Sequence, residues 1–174
     1  MPELPEVETT IKSLNILKNK KVTNLDVHTK KLRYSVPHAE LKKIINYKII
    51  NLRRIAKYVI VDFENSRSVI IHLGMSGRLI YLKDIRVREK HDHVVVSLEN
   101  GDQIRYHDPR RFGLCIILPV EQLSLWPPLK SLGFDPFASE FNANYLFSAM
   151  RNSKRMIRDF LIVLTKLSHL KRLP

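Results

Sequence analysis

Seven short runs rich in β-branched and aliphatic residues follow one another between Ile49 and Leu118, and this succession constrains the fold more than any other feature. The runs are Ile49 to Ile55, Tyr58 to Phe63, Ser68 to His72, Leu79 to Leu82, His93 to Leu98, Gln103 to His107 and Gly113 to Leu118. Asn100-Gly101, between the fifth and sixth, predicts a two-residue hairpin turn. Short strands with turn signals between them specify a β-sandwich or barrel-like body. Val22, Leu25 and Val27 predict a further strand ahead of them. Leu4, Val7, Ile11, Leu14 and Leu17 recur at helical spacing, so a helix is expected over 4–17, and Pro37 opens a second, short helix to Ile45. Beyond Pro119 the character changes. Trp126-Pro-Pro128 and Asp135-Pro136 punctuate a linker. Asn142 can cap a helix to about Met150, and Ser153 another through Met156, Ile157, Phe160, Leu161 and Leu164.

These readings give an α+β chain whose 174 residues make one domain, or one domain plus a fragment. The expected division is a β-sandwich flanked by helices over 1–118, a linker over 119–135 and a partial helical region over 136–174. Lys and Arg number 30 against 17 Asp and Glu, a net charge of +13 that favours a polyanionic partner, nucleic acid first. A ribosome-like or merely soluble basic protein is the alternative on charge alone. No apolar run approaches membrane-spanning length and the first residues are acidic, so neither a membrane span nor secretion is expected. The lone Cys115 excludes an internal disulfide and a zinc site of several thiolates; within Gly-Leu-Cys-Ile-Ile-Leu it is expected in the core of a cytoplasmic protein. Metal-ligand spacing, a phosphate-cradling glycine-rich helix start and a Ser/His/Asp set are not evident.

Chemistry is concentrated at the start. A small residue after the initiator normally permits removal of Met1, leaving Pro2 with a free secondary amine and Glu3, Glu6 and Glu8 close behind it. An α-amine titrates about two and a half units below a Lys, so roughly a fifth of it is unprotonated at neutral pH. It is a nucleophile for a carbonyl-like carbon without activation by burial. Condensation with a sugar C1′ gives an iminium ion, a permanent electron sink. Glu3, next in sequence, is the natural general acid/base for the departing base and the ring oxygen. The plainer reading makes Glu3, Glu6 and Glu8 the acidic first turn of a helix, and the two are compatible.

Four segments resemble the bacterial formamidopyrimidine-DNA glycosylases: Pro2-Glu-Leu-Pro-Glu-Val-Glu8, Leu52-Arg-Arg-Ile-Ala-Lys-Tyr58, His72-Leu-Gly-Met-Ser-Gly77 and Asp108-Pro-Arg-Arg-Phe-Gly113. Taken alone, Lys57 is a turn lysine, His72 a satisfied strand-end histidine, Met75 ordinary packing and Arg-Arg-Phe a weak pattern. The resemblance implies more. Pro2 becomes the Schiff-base nucleophile, Glu3 its acid/base partner and Glu6 a lesion contact. Lys57 and His72 would bind phosphates flanking the lesion. Met75, Arg110 and Phe112 would fill the gap left by an everted nucleotide, with Arg110 on the orphaned base and Phe112 wedged into the stack. Arg111 would pair with a carboxylate or phosphate. Lys154, Arg155 and Arg158 either follow a DNA backbone or form a solvated basic face.

The resemblance runs from Met1 to about Leu161. The family's remaining helix–two-turn–helix element, with its Gly-Ile-Gly-Asn-Ile-Tyr segment, and its four-cysteine zinc finger have no counterpart here. The expectation is a truncated member: an incomplete helical region of helix–two-turn–helix type, no cofactor, and apolar helix faces left exposed. The implied function is base-excision repair of oxidised purines (8-oxoguanine and formamidopyrimidines), with AP lyase cleavage. The Leu4 position argues against the related endonuclease VIII branch, which usually has Gly there. A non-catalytic remnant that binds damaged DNA, and a basic structural protein of a nucleoprotein particle, are the competing classes. The expected partner is damaged double-stranded DNA, met as a monomer in the cytoplasm and on the nucleoid.

Overall fold

The computed structural model describes residues 2–135, 138–157 and 159–160. The chain divides into two compact units, 1–121 and 122–174. The first opens with helix α1, Leu4–Leu14, which buries Val7, Ile11 and Leu14. The sequence pattern to Leu17 is satisfied differently: a 3₁₀ turn over Asn15–Leu17 tightens the last turn and still buries Leu17. Strand β1 (Val22–Val27) follows, then α2 (His38–Leu41) with a 3₁₀ turn at Lys42–Ile44 in place of one continuous helix.

Seven strands come next: β2 Ile49–Ile55, β3 Tyr58–Phe63, β4 Arg67–His72, β5 Arg78–Leu82, β6 Asp92–Leu98, β7 Gln103–His107 and β8 Leu114–Pro119. They form two four-stranded sheets in the orders β1-β6-β7-β5 and β2-β3-β4-β8, and every pairing is antiparallel. Apolar residues of α1 and of both sheets make one core, including Leu14, Phe63, Ile71, Val94, Tyr106 and Cys115. Burial pushes the Cys115 thiol up to about 12, so it behaves as a small core hydrophobe. The sandwich expectation is met.

The Asn100-Gly101 turn is not the two-residue type. Only Gly101 takes a positive φ (84°), and the loop spans Glu99 to Gly101, closed by Gly101 N–H to Leu98 O (3.0 Å) and Leu98 N–H to Asp102 O (2.9 Å). A type I turn followed by a left-handed glycine has replaced it. Asn100 spends its side-chain amide on Asp102, and Glu99 N–H is drawn to Lys21 O at 2.9 Å.

In the second unit α3 spans Pro127–Lys130 and α4 spans Ala143–Met150, where Asn142 Oδ1 accepts the Tyr145 N–H at 3.0 Å as the expected cap. Among its described residues Leu125, Phe147, Met156 and Ile157 are exposed. Ser153 Oγ accepts the Arg155 N–H (3.3 Å), and helical backbone resumes only at Ile157. Arg158, Leu161 and Leu164 lie outside the described residues. No helix among the described residues is long and apolar enough to cross a membrane.

Candidate active site

The antiparallel registers gather four segments at one end of the sandwich. Tyr58 pairs with His72, and His72 with Leu114, so the β2–β3 turn, the segment after β4 and the segment before β8 are neighbours. In the other sheet His107 faces both Arg78 and Asp92. The connections 73–77 and 108–113, which carry the chain from one sheet to the other, therefore leave from this same end.

The amino terminus is brought here by α1. Glu8 Oε2 accepts from Arg54 Nε at 2.9 Å, and Arg54 Nη1 also donates to Ala56 O at 3.2 Å, clamping the helix to the β2–β3 turn. Ala56 sits in the left-handed region (φ 50°), which presents Lys57 at the tip of the turn. Lys57 Nζ forms an ion pair with the Glu3 carboxylate. Pro2 is half-buried and Glu3 is exposed, so the nucleophile and acid/base candidates sit together beside a cation. Glu6 is exposed, and its Oε2 accepts the Glu3 N–H at 3.0 Å; in this state it caps α1.

His72 is buried, with its ring centroid 5.1 Å from that of Tyr58. Its Nδ1 accepts the Gly74 N–H at 3.0 Å, so any phosphate contact would have to use Nε2. Burial pushes the Tyr58 phenol up to about 12, against the opposing charge of Arg33. Met75 and Phe112 are exposed at 44% and 46%, two large apolar side chains on adjoining turns. Arg110 is also exposed, its guanidinium 4.9 Å from the centroid of the Phe112 ring, a cation–π pair. Arg111 holds left-handed backbone (φ 57°), strain of the kind found at ligand sites.

Asp108, fully buried, locks the two turns together. Its Oδ1 accepts from Ser76 Oγ at 2.7 Å and its Oδ2 from Gly113 N–H at 2.9 Å, while Arg110 N–H donates to Ser76 Oγ at 3.2 Å. Tyr106 Oη donates to His72 O at 3.1 Å, directly beneath. Gly74 (φ 65°) lets the turns touch: a Cβ there would stand 2.5 Å from Phe112 C and Gly113 N. Met75, Arg110 and Phe112 thus belong to one braced surface. The sequence motifs contained Ser76 and Asp108 without disclosing this role; the only local hint was a carboxylate directly before Pro109. Glu8 and Arg54 were likewise visible only as motif members.

Among the described residues, Glu89, Asp92 and His107 place ligand atoms within 4.8 Å of one another. Asp92 is already engaged by Arg105 Nη1 (3.0 Å), His107 Nδ1 (2.9 Å) and Glu89 N–H (2.9 Å). A divalent ion would have to displace a buried guanidinium, so the trio is a structural network. Burial raises the Asp92 pKa, but its hydrogen bonds and Arg105 outweigh it, and the carboxyl is held below its ordinary value.

Residues 1–115 match the formamidopyrimidine-DNA glycosylase N-terminal domain. The formamidopyrimidine-DNA glycosylase of Wolbachia pipientis subsp. Culex pipiens (strain wPip) is 40% identical over 165 residues, covering 93% of this chain and 59% of that protein. That of Hydrogenovibrio crunogenus is 40% identical over 165 residues, covering 93% and 58%. Lactococcus lactis Fpg in complex with an abasic site containing DNA is 26% identical with a TM-score of 0.83, over 95% of this chain and 61% of that one. The chain therefore spans about three fifths of the length of these relatives. With residues 1–115 matched by the family's N-terminal domain and relatives 40% identical over 93% of its length, the chain belongs to the formamidopyrimidine-DNA glycosylase family.

Proposed function

We propose that this chain acts in base-excision repair, removing oxidised purines such as 8-oxoguanine and formamidopyrimidines from duplex DNA and then cleaving the abasic strand. One observation carries the reading: Pro2 and Glu3 stand beside Lys57 at the end of the sandwich that also bears the exposed Met75 and the Arg110–Phe112 pair. Nucleophile, acid/base group, phosphate-binding cation and wedge are all required at one point on a duplex. Membership of the family and the DNA complexes of Lactococcus lactis Fpg support it.

In the proposed reaction the Pro2 nitrogen attacks C1′ as the glycosidic bond breaks, its own N–H proton passing to the Glu3 carboxylate and from there to the departing base. The ring oxygen takes a proton from water as it opens to an iminium at C1′; loss of a C2′ proton to the Glu3 carboxylate then sends the electrons of that bond into the iminium as the 3′ phosphate leaves. A second elimination expels the 5′ phosphate, and hydrolysis frees Pro2. Lys57 would hold a flanking phosphate, exchanging the Glu3 carboxylate for it. His72 would hold a second phosphate. Met75 and Phe112 would occupy the stack while Arg110 meets the orphaned base, and Glu6 would face the lesion once released from its cap. Nucleophile, acid and electron sink all come from Pro2 and Glu3, so this chemistry calls for no metal or cofactor.

Borohydride trapping on a duplex with an abasic site tests it. A covalent adduct is expected with wild-type protein and its loss with Pro2→Gly, with mass spectrometry confirming removal of Met1. Binding to that duplex without an adduct would instead make the chain a damaged-DNA-binding protein without turnover.

A further inference from the structure

We infer that the loop between β1 and α2, residues 28–37, is a further DNA-contacting element, with Lys30, Lys31 and Arg33 each set against a backbone phosphate of the duplex held at the candidate active site. The inference rests on the repair reading above.

Three observations place it there. β1 reaches the active end of the sandwich at Val27, which pairs with Val94, and the next residue extends the pairing through His28 N–H to His93 O at 2.8 Å. The loop is then fastened to the braced turns, because Arg33 N–H donates to Gly113 O at 2.9 Å, one residue after Phe112. On its other flank Arg33 and Tyr34 lie close enough to Tyr58 to act on its phenol, next to Lys57.

The loop is also shaped for presentation. Leu32 and Val36 are buried anchors, and Val36 N–H to Lys30 O (3.0 Å), Leu32 N–H to Tyr34 O (2.9 Å) and Thr29 Oγ1 to Lys31 O (3.0 Å) hold the backbone between them. His38 braces it from α2 through Nε2 and Thr29 O at 2.9 Å. Lys30, Lys31, Arg33 and Tyr34 all point outward from this frame and are exposed. The segment His28 to Pro37 contains no carboxylate. None of the ion pairs among the described residues uses its cations, whereas Lys57 and Arg54 nearby are both paired with glutamates. Exposed, unpaired cations on a braced backbone, interleaved with an exposed aromatic ring, suit a sugar–phosphate chain.

The test is the salt dependence of binding to an abasic-site duplex, followed by fluorescence anisotropy with the full chain. Removing one phosphate-bound cation should make the slope of log K against log salt shallower by about 0.9. For the variant K30A/K31A/R33A, which gives up three such cations, the slope should become shallower by roughly 2.7, with affinity reduced at least tenfold at about 100 mM salt. The comparison variant K18A/K20A/K48A removes the same charge from the opposite end, where these lysines precede β1 and β2. Its slope should stay within about 0.5 of the wild-type value. Equal changes in both variants would mean general attraction to a basic protein and overturn the inference, as would an unchanged slope in the loop variant. Should the triple variant unfold, K30Q/K31Q, at two exposed positions, should make the slope shallower by roughly 1.8. Wild-type protein that fails to bind the duplex at any salt overturns the repair reading itself, and with it this one.

Discussion

Asp108 shows how much one side chain can organise. Its carboxylate serves Ser76 and Gly113, and its backbone carbonyl accepts from Arg111 N–H (3.2 Å) and lies 2.9 Å from His93 Nε2. His93 is buried beneath the Arg110–Phe112 turn, and burial is the main reason its imidazole is held below the ordinary 6.5, the bond to Asp108 opposing it. An unfolded chain takes up this proton near pH 6.5, whereas the folded one resists until a lower pH. The stability tied to neutral His93 is therefore complete above about 6.5 and lost as the pH falls through the depressed value, at no more than about 1.4 kcal/mol per pH unit. Urea unfolding at pH 7.5 and 5.5 should show this loss in wild type and a smaller one in His93→Gln, which keeps a donor for the Asp108 carbonyl. An equal loss in both proteins would assign the acid sensitivity to other groups.

At the scale of elements, the two turns joining the sheets behave as one. Gly74 and Gly101 both have positive φ, but a Cβ at Gly101 meets nothing within 4 Å, whereas at Gly74 it strikes the backbone of Phe112 and Gly113. Alanine at Gly101 should cost about 1–2 kcal/mol for left-handed backbone alone. Alanine at Gly74 should cost clearly more, because the turns must part, and should weaken duplex binding as well. Thermal melts of the two variants measure the difference directly; equal shifts would mean the turns are not tightly packed. The same coupling explains why the site was only partly legible in the sequence. Lys57 and Gly-Met-Ser-Gly could be recognised as motifs, but Ser76 and Asp108 are 32 residues apart and nothing local says they touch. Glu8 and Arg54 are 46 apart, and their pairing depends on where α1 lies on its sheet.

For the molecule as a whole, every described residue of the main core falls within the first unit, from Val7 to Ile117. A protein ending at Glu121 should accordingly unfold in one cooperative urea transition, with the spectrum of a packed β-protein. A gradual transition would show that the second unit is needed to complete the sandwich. Whatever depends on near neighbours could be read along the chain: the strands through their β-branched runs and intervening turns, the start of α1 through its acidic first turn, and the basic character that calls for a polyanion. The order of the chemistry-bearing residue types was equally plain. Local pattern misjudged the helix ends at Leu17 and Ile45 and the Asn100-Gly101 turn, where side-chain bonds and 3₁₀ tightening overrode it. It took the folded arrangement to establish that Glu3 meets Lys57, that Asp108 braces Ser76, and that Arg33 is tied to Gly113. Those pairings follow from which strand ends two sheets bring together, and packing across a core sets that, whatever the spacing along the chain.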